Sequence, residues 1–287
     1  MSQERILLEE TFYVLTKKNS VFRVRLTKKG LSLIKESDNQ EKKQTIPTRD
    51  IIGCKCLRSK KSTTSCSCQS LPRTTLRVVE ENSGEQDETD ISAYLYIYAY
   101  ILQNNKNGHC KRERTIITLR FRSFDKYEDN NKEAKRWRNA IKQLIKGEQA
   151  QYESGETPIM HKINEQRKLL VLCNPKSGPG RGKAIFQDKI VPILQEAEIP
   201  YDLHITKHAN YARDFVRSCN IYQWSGVVVV GGDGIVFEVI NGMFERPDWH
   251  RAVENLPVAV VPGGSGNGLA RSIAYYPTGT EQWRISP

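Results

Sequence analysis

Residues 227–234 read VVVVGGDG, and this stretch decides the fold of the second half of the chain. Four consecutive valines have the length and composition of a buried strand. The glycines after them indicate a tight turn, for which we expect a backbone with positive φ. A helical pattern then runs to Met243, and we expect its helix to begin near Ile235. The stretch therefore predicts a strand, a turn that carries the carboxylate of Asp233, and a helix.

The same succession recurs along the second half of the chain. Further strands are predicted at residues 168–173, 201–206 and 257–261, with helices over 186–194 and 212–219. Such alternation is typical of an α/β domain with a mostly parallel sheet, whose ligands bind at the carboxyl ends of the strands. Glycine-rich turns lie at three of those ends, at residues 174–183, 231–234 and 262–268. These turns are the predicted functional site.

The first half of the chain has a different pattern. Short alternating or β-branched runs predict strands at residues 11–16, 21–26, 30–34, 94–101 and 115–121. An amphipathic helix with an inward Trp137 is predicted over residues 131–145. This α+β layout resembles a pleckstrin-homology-like domain. We therefore predict that domain at residues 1–147, a polar linker at 148–165, and the α/β domain at 166–287.

Composition restricts the partners. Lys and Arg exceed Asp and Glu by 11 charges in 287 residues, which suits a nucleotide, a nucleic acid or an anionic membrane surface. Because no RNA- or DNA-binding signature is present, no nucleic acid partner is expected. No apolar run approaches the ~18 residues of a membrane span, and the amino terminus lacks the layout of a signal peptide. We expect a cytoplasmic protein that associates peripherally with membranes, where the basic loop 106–114 either binds lipid or is simply solvated.

Cysteines offer a possible metal site. Cys54 and Cys56 form one C-x-C pair, and Cys66 and Cys68 form another. The spacing within each pair is one residue shorter than structural zinc sites use. Reduced thiols in loops are the preferred interpretation, and no metal site built by the protein alone is expected.

The three turns carry chemistry that suits phosphate. Glycines let the backbone approach a phosphate closely, and a following helix offers free N–H groups. The first turn is neither a Walker A loop nor a dinucleotide fingerprint, because glycines that those motifs need are missing. In the second turn Asp233 can accept a hydroxyl proton or hold Mg²⁺. Glu238, expected to face the same way, is a candidate for binding magnesium or ribose, whereas Asn241 and Gly242 are interpreted as helix end and packing.

Together these motifs resemble the diacylglycerol kinase catalytic domain family, which has a phosphofructokinase-like fold. Within that family the run from Glu238 to Trp249 resembles the sphingosine kinases. The resemblance implies transfer of the γ-phosphate of ATP, with Mg²⁺, to the primary hydroxyl of a sphingoid base. It makes Asp233 the general base and the turn Gly231, Gly232, Asp233 and Gly234 the substrate-binding segment. It places ATP on Asn174, Pro175, Lys176, Thr206, Lys207, His208, Ala209, Asn210, Glu238, Gly264, Ser265 and Gly266.

Two alternatives stay open. Gly231 stands where sphingosine kinases frequently have Ser, which leaves room for a ceramide kinase. A non-catalytic membrane adaptor with a kinase remnant is the other alternative. Family members continue into a second, β-rich domain that holds the lipid pocket. Since that domain is absent from the 287 residues, we expect little or no turnover from this polypeptide alone.

Overall fold

The computed structural model describes residues 5–14, 20–35, 42–59, 78–79, 90–104, 110–147 and 168–275. The chain divides into two compact units, Met1–Gln103 with Glu113–Pro158 and Asn104–Arg112 with Ile159–Pro287. The predicted linker, the Cys66 and Cys68 pair, and residues 106–109 of the basic loop lie outside the described residues. Within the described ranges, no helix combines the length and apolar character needed to cross a bilayer.

The N-terminal unit is built on an eight-stranded sheet in the order β4-β3-β2-β1-β8-β7-β5-β6. Its strands are β1 (Ile6–Val14), β2 (Ser20–Thr27), β3 (Gly30–Lys35), β4 (Lys42–Pro47), β5 (Ile51–Ser59), β6 (Val78–Val79), β7 (Ala93–Asn104) and β8 (Cys110–Phe121). Neighbours such as β1 and β2, or β5 and β7, pair antiparallel. This antiparallel pairing agrees with the β-rich character predicted from the sequence.

One helix, α1 (Tyr127–Ile145), packs its apolar face on the core of this unit. Trp137 is 2% exposed, and its ring meets that of Phe12 edge-on at 5.2 Å. Asn130 secures the start of the helix, because its side-chain amide donates to the carbonyls of Phe124 and Ile91 at 2.8 and 2.9 Å. The inward Trp137 is therefore confirmed, although the helix begins four residues before the predicted position.

Strands β4 and β5 were not predicted, and one cysteine pair was misplaced as a result. Cys54 and Cys56 lie within β5 rather than in a loop, and the Cys54 side chain is fully buried. Its thiol donates toward the carbonyl of Arg138 on α1 at 3.6 Å. The expectation of loop thiols is wrong for this pair, because these cysteines and the lysine between them belong to a strand with one buried face.

The C-terminal unit is built on four parallel strands in the order β10-β9-β11-β12. The strands are β9 (Lys168–Cys173), β10 (Tyr201–Ile205), β11 (Trp224–Gly231) and β12 (Val258–Pro262). The helices are α2 (Gly182–Ile185), α3 (Val191–Glu196), α4 (Tyr211–Ser218), α5 (Asp233–Phe244), α6 (Trp249–Asn255) and α7 (Gly268–Tyr275), and a π-helical turn, Phe186–Ile190, joins α2 to α3. The predicted mostly parallel sheet is confirmed.

Both faces of this sheet are covered, which explains the continuous run of valines. Val227 and Val229 belong to a cluster with α4, α5 and α6. Val228 and Val230 point to the opposite face, toward Phe186 and Leu194. Successive side chains of a strand alternate between faces, so a strand covered on both sides is apolar throughout.

The order of the strands fixes the position of the site. From β9 the chain passes to β10 on one side, and it then crosses to β11 on the other side. The segments that follow β9 and β11 therefore diverge at the carboxyl edge of the sheet. A crevice at such a switch point is the usual ligand site of an open parallel sheet.

Candidate active site

The three glycine-rich turns meet in one cleft at this edge, with a volume of about 270 Å³. Asn174, Ser177 and Gly178 line it from the first turn, and residues 232–235 line it from the second. Gly264, Ser265 and Gly266 close it from the third. The structure thus gathers the parts that the sequence could identify only as separate motifs.

In the second turn, Gly231 and Gly232 are required by close approach and not by backbone conformation. None of Gly231, Gly232 and Gly234 has a positive φ, contrary to expectation. A Cβ on Gly231 would stand 2.6 Å from Ile235 Cγ2 and 2.7 Å from Ser177 Oγ. The helix also begins earlier than predicted, at Asp233 instead of near Ile235. The free N–H groups of its first turn consequently lie at the cleft itself.

The second and third turns approach each other through backbone atoms at Gly232 and Gly264. A Cβ on Gly264 would overlap Gly232 Cα and lie 2.9 Å from Gly232 N. Asn267, whose φ is +77°, holds the third turn closed. Its side chain accepts from Gly264 N at 2.9 Å and donates to Gly264 O at 2.6 Å. No role was predicted for Asn267, although Asn is a residue that tolerates a left-handed turn.

The first turn is closed by the side chain of its first residue, Asn174. Asn174 Oδ1 accepts from the Lys176 N–H at 3.0 Å, as in an Asx turn. Gly178, with φ of +56°, lies against the third turn, where an added Cβ would stand 3.0 Å from Gly263 O. Ser177 is only 8% exposed and lines the cleft. Ser177 was missed, and its place between Lys176 and Gly178 was the one available signal.

Asp233 links the second turn to the last helix. Its Oδ2 accepts from the Gly268 N–H at 2.8 Å, and its Oδ1 accepts from the Leu269 N–H at 3.2 Å. These two N–H groups begin α7, so the carboxylate caps that helix. The hydrogen bond from Gly268, followed by that from Leu269, lowers the pKa of Asp233 below its ordinary value. The side chain is exposed and ionised at neutral pH.

Glu238 faces elsewhere, which corrects the expectation that both acids point the same way. Its two oxygens accept from the backbone N–H groups of Asn210 and Ala212, each at 3.0 Å. Asp233 accepts N–H groups at the start of α7, whereas Glu238 accepts N–H groups at the start of α4. Within the described part of the chain, no cluster of three or more His, Cys, Asp or Glu residues is arranged to hold a metal ion.

Several residues expected at the nucleotide do not line the cleft. Pro175, Lys176, the segment from Thr206 to Asn210 and Glu238 are absent from its walls. The Thr206 N–H donates to Cys173 O at 2.9 Å, which joins the end of β10 to the end of β9. This segment therefore begins at the same edge of the sheet, beside the cleft.

An apolar groove lies on the other side of Asp233. Asp233, Val236, Phe237, Ile240 and Leu269 line it, and its volume is about 410 Å³. The Phe237 side chain is 65% exposed there. Asp233 thus stands between a wall of polar backbone and a wall of hydrocarbon.

The run from Arg246 to Trp249 has a structural role. The Arg246 guanidinium, 10% exposed, donates to the carbonyls of Val216 and Cys219, each at 2.8 Å. It also pairs with Asp248 at 2.8 Å. A cation at the carboxyl end of α4 satisfies carbonyls that have no partner within the helix.

Comparison with known proteins agrees with this geometry. The model of the diacylglycerol kinase catalytic domain matches residues 168–285, which include all three turns. The resemblance inferred from the motifs is therefore confirmed for this part of the chain.

Relatives of this catalytic domain include sphingosine kinases. Sphingosine kinase 2 of Homo sapiens is 34% identical over 207 residues, 70% of this chain and 31% of that protein. Sphingosine kinase 1 of Homo sapiens is 44% identical over 115 residues, 40% of this chain and 29% of that protein. Sphingosine kinase 1 of Arabidopsis thaliana is 40% identical over 111 residues, 39% of this chain and 23% of that protein. In each case the match spans less than a third of the relative's length.

Proposed function

We propose that the protein is an ATP-dependent lipid kinase that phosphorylates the primary hydroxyl of a sphingoid base. One observation carries the proposal: Asp233 lies on the boundary between the polar cleft and the apolar groove. A phosphate chain suits the first, and the hydrocarbon of a lipid alcohol suits the second. A hydroxyl beside Asp233 would then meet the transferred phosphoryl group.

The polar cleft has the features of a phosphate site. The first turn of α5 offers N–H groups without intrahelical partners, and the positive end of its dipole points the same way. A Cβ on Gly266 would stand 2.8 Å from Asp233 Oδ2, so glycine keeps the wall open for a ligand. Lys176 and Arg181 add positive charge at the first turn. Mg²⁺ would be held mainly by the phosphates of ATP and would neutralise their charge.

Asp233 would act on the acceptor as an ionised hydrogen-bond acceptor. Both of its oxygens already accept an N–H, but each keeps a further lone pair for a hydroxyl. Because phosphoryl transfer passes through a loose transition state, orientation of the hydroxyl contributes much of the catalysis. Asp233 then receives the hydroxyl proton as the bond to phosphorus forms.

The sphingoid acceptor is supported by the relatives named sphingosine kinase. It is also supported by the resemblance of the run from Glu238 to Trp249 to those kinases. Gly231 keeps ceramide as the second acceptor to test. The pleckstrin-homology-like identity of the N-terminal unit and the anionic membrane surface remain predictions. The antiparallel sheet closed by α1 supports the former, and the net charge of +11 supports the latter.

Two measurements test the proposal. MgATP added to the ¹⁵N-labelled chain should shift the amide signals of residues 231–234 and 263–266, and unshifted signals would refute a nucleotide site at this cleft. When a lipid-binding domain is supplied together with the chain, labelled ATP offered with sphingosine, ceramide and diacylglycerol in turn should label sphingosine, and the Asp233→Asn variant should not. Preferential labelling of ceramide would overturn the sphingoid assignment while leaving the kinase assignment intact. Binding to anionic vesicles without nucleotide binding would favour the adaptor.

A further inference from the structure

Glu238 caps the start of α4 in place of the residue that precedes the helix. Asn210 occupies the position before this helix with φ of 62°, and its own side chain makes no capping hydrogen bond. The first N–H groups of any helix need partners outside it. Here the Glu238 carboxylate accepts two of them, from Asn210 and from Ala212, each at 3.0 Å. Two charge-assisted bonds from one carboxylate fix both the position and the direction of the start of α4.

These bonds hold one end of the segment 206–210. Its other end is fixed where the Thr206 N–H donates to Cys173 O at 2.9 Å. The segment is thus held between the sheet edge and α5, the helix that also carries Asp233. A shift of the Glu238 side chain would release the segment without altering the cleft wall.

We infer that Glu238 is a positioning residue, which holds the segment 206–210 in the conformation that receives the nucleotide. The inference rests on the proposed function in one respect, namely that this segment contacts ATP. The observation that carries it is that both carboxylate oxygens accept backbone N–H groups at the start of α4, one from Asn210 at the end of the segment and one from Ala212 in the first turn of the helix.

The first experiment uses the nucleotide-free chain and measures residue-resolved amide hydrogen exchange. In the Glu238→Gln variant the amides of Asn210 and Ala212 should exchange about 10- to 100-fold faster, because the amide side chain cannot accept both N–H groups. Amides of β11 should keep their protection, which shows that the fold is intact. Unchanged exchange at Asn210 and Ala212 would overturn the inference.

Glu245 supplies a matched control for a purely structural effect. It lies at the end of α5 and also holds α4, but through the Arg213 side chain, with an Nε–Oε2 distance of 3.0 Å. The Glu238→Gln variant should bind ATP about 10-fold more weakly, whereas Glu245→Gln should bind it like the unmodified chain. Equal losses in both variants would mean that α4 needs only general support, and this would overturn the inference.

The second experiment separates positioning from direct binding. A positioning residue predicts the same fold-loss of affinity with MgATP and with ATP in EDTA, and an unchanged preference for ATP over its 2′,3′-dideoxy analogue. A loss confined to MgATP would identify a magnesium ligand, and a lost preference would identify a ribose ligand. Glu238→Asp keeps the charge but shortens the reach, so it should fail to restore binding. Full restoration by Asp would contradict the two-point cap.

These measurements distinguish failure of the proposed function from failure of the inference about Glu238. If the unmodified chain binds no nucleotide, the proposed function is wrong, and the positioning of a nucleotide segment falls with it. The exchange data would still establish whether Glu238 caps α4. If the chain binds ATP but Glu238→Gln leaves its affinity unchanged, only the inference about Glu238 fails.

Discussion

Replacing Gly264 with Ala tests the contact on which the cleft depends. The new Cβ would overlap Gly232 Cα and lie 2.9 Å from Gly232 N, whereas carbon contacts settle at about 3.5–4.0 Å. The third turn would therefore have to retreat by at least about 1 Å. Because the opposing atoms are backbone, no side chain can rotate away. We expect a loss of about 1–3 kcal/mol in the free energy of unfolding, as for other overpacked sites.

The same retreat should weaken nucleotide binding, because Gly232 and Gly264 both line the cleft. Urea unfolding followed through the amide signals of β11 gives the stability, and MgATP titration gives the affinity. Gly234→Ala is the control for stability, since a Cβ there meets nothing within 4 Å. Alanine in the first turn of α5 should leave stability unchanged or raise it by up to about 1 kcal/mol. If Gly264→Ala unfolds at the same urea concentration as the unmodified chain and binds MgATP equally well, the two turns are not in tight contact.

Three further substitutions test Asp233, the arginine at the carboxyl end of α4 and the core of the N-terminal unit. Asp233→Asn should lower phosphoryl transfer by about 10²–10⁴-fold in a kinase assay that supplies a lipid-binding domain together with the chain, while MgATP still binds. The hydrogen bonds from Gly268 and Leu269 lower the pKa of Asp233 in the folded state. Its contribution to stability is therefore complete above the unfolded-state pKa of ~3.9 and is lost as the pH falls through the folded-state pKa. Acid unfolding of the wild type and the variant should show this difference. Arg246→Ala should cost about 2–3 kcal/mol in urea unfolding, with Arg246→Lys recovering only part and MgATP affinity unchanged. Trp137→Ala should cost about 3–5 kcal/mol in the N-terminal unit, and a loss below 1 kcal/mol would contradict its core position.

The parallel sheet and its turns could be predicted because their signals are local. Val227–Val230 has a composition that only a strand covered on both faces needs, and the glycines mark its end. The layout of the N-terminal unit was predicted less completely. Strands β4 and β5 contain Lys42, Lys43 and Lys55, so their sequences do not alternate regularly between apolar and polar residues. A prediction based on such alternation therefore missed both strands. Edge and half-buried strands commonly have such mixed composition.

The direction of the acidic side chains could not be predicted from their spacing alone. Asp233 and Glu238 are five residues apart, and five residues turn an α-helix by about 500°, or 140° beyond a full circle. The two carboxylates therefore had to diverge once the helix began at Asp233. Placing the helix start two residues later left Asp233 in the turn, where its direction relative to Glu238 was undetermined. The boundary of one helix thus decided the role assigned to both acids.

Helix α5 therefore organises the site through two carboxylates that each hold the beginning of another helix. Asp233 holds α7, and Glu238 holds α4. The segments that precede these helices, 262–267 and 206–210, contain two of the stretches on which the family resemblance places ATP, namely 264–266 and 206–210. Because acids of α5 hold both segments, the positions of these segments are coupled to that of Asp233, the residue proposed to act on the acceptor. Nucleotide binding and orientation of the hydroxyl then depend on one rigid element, so a change that moves α5 should impair both together, whereas loss of Glu238 should impair nucleotide binding first.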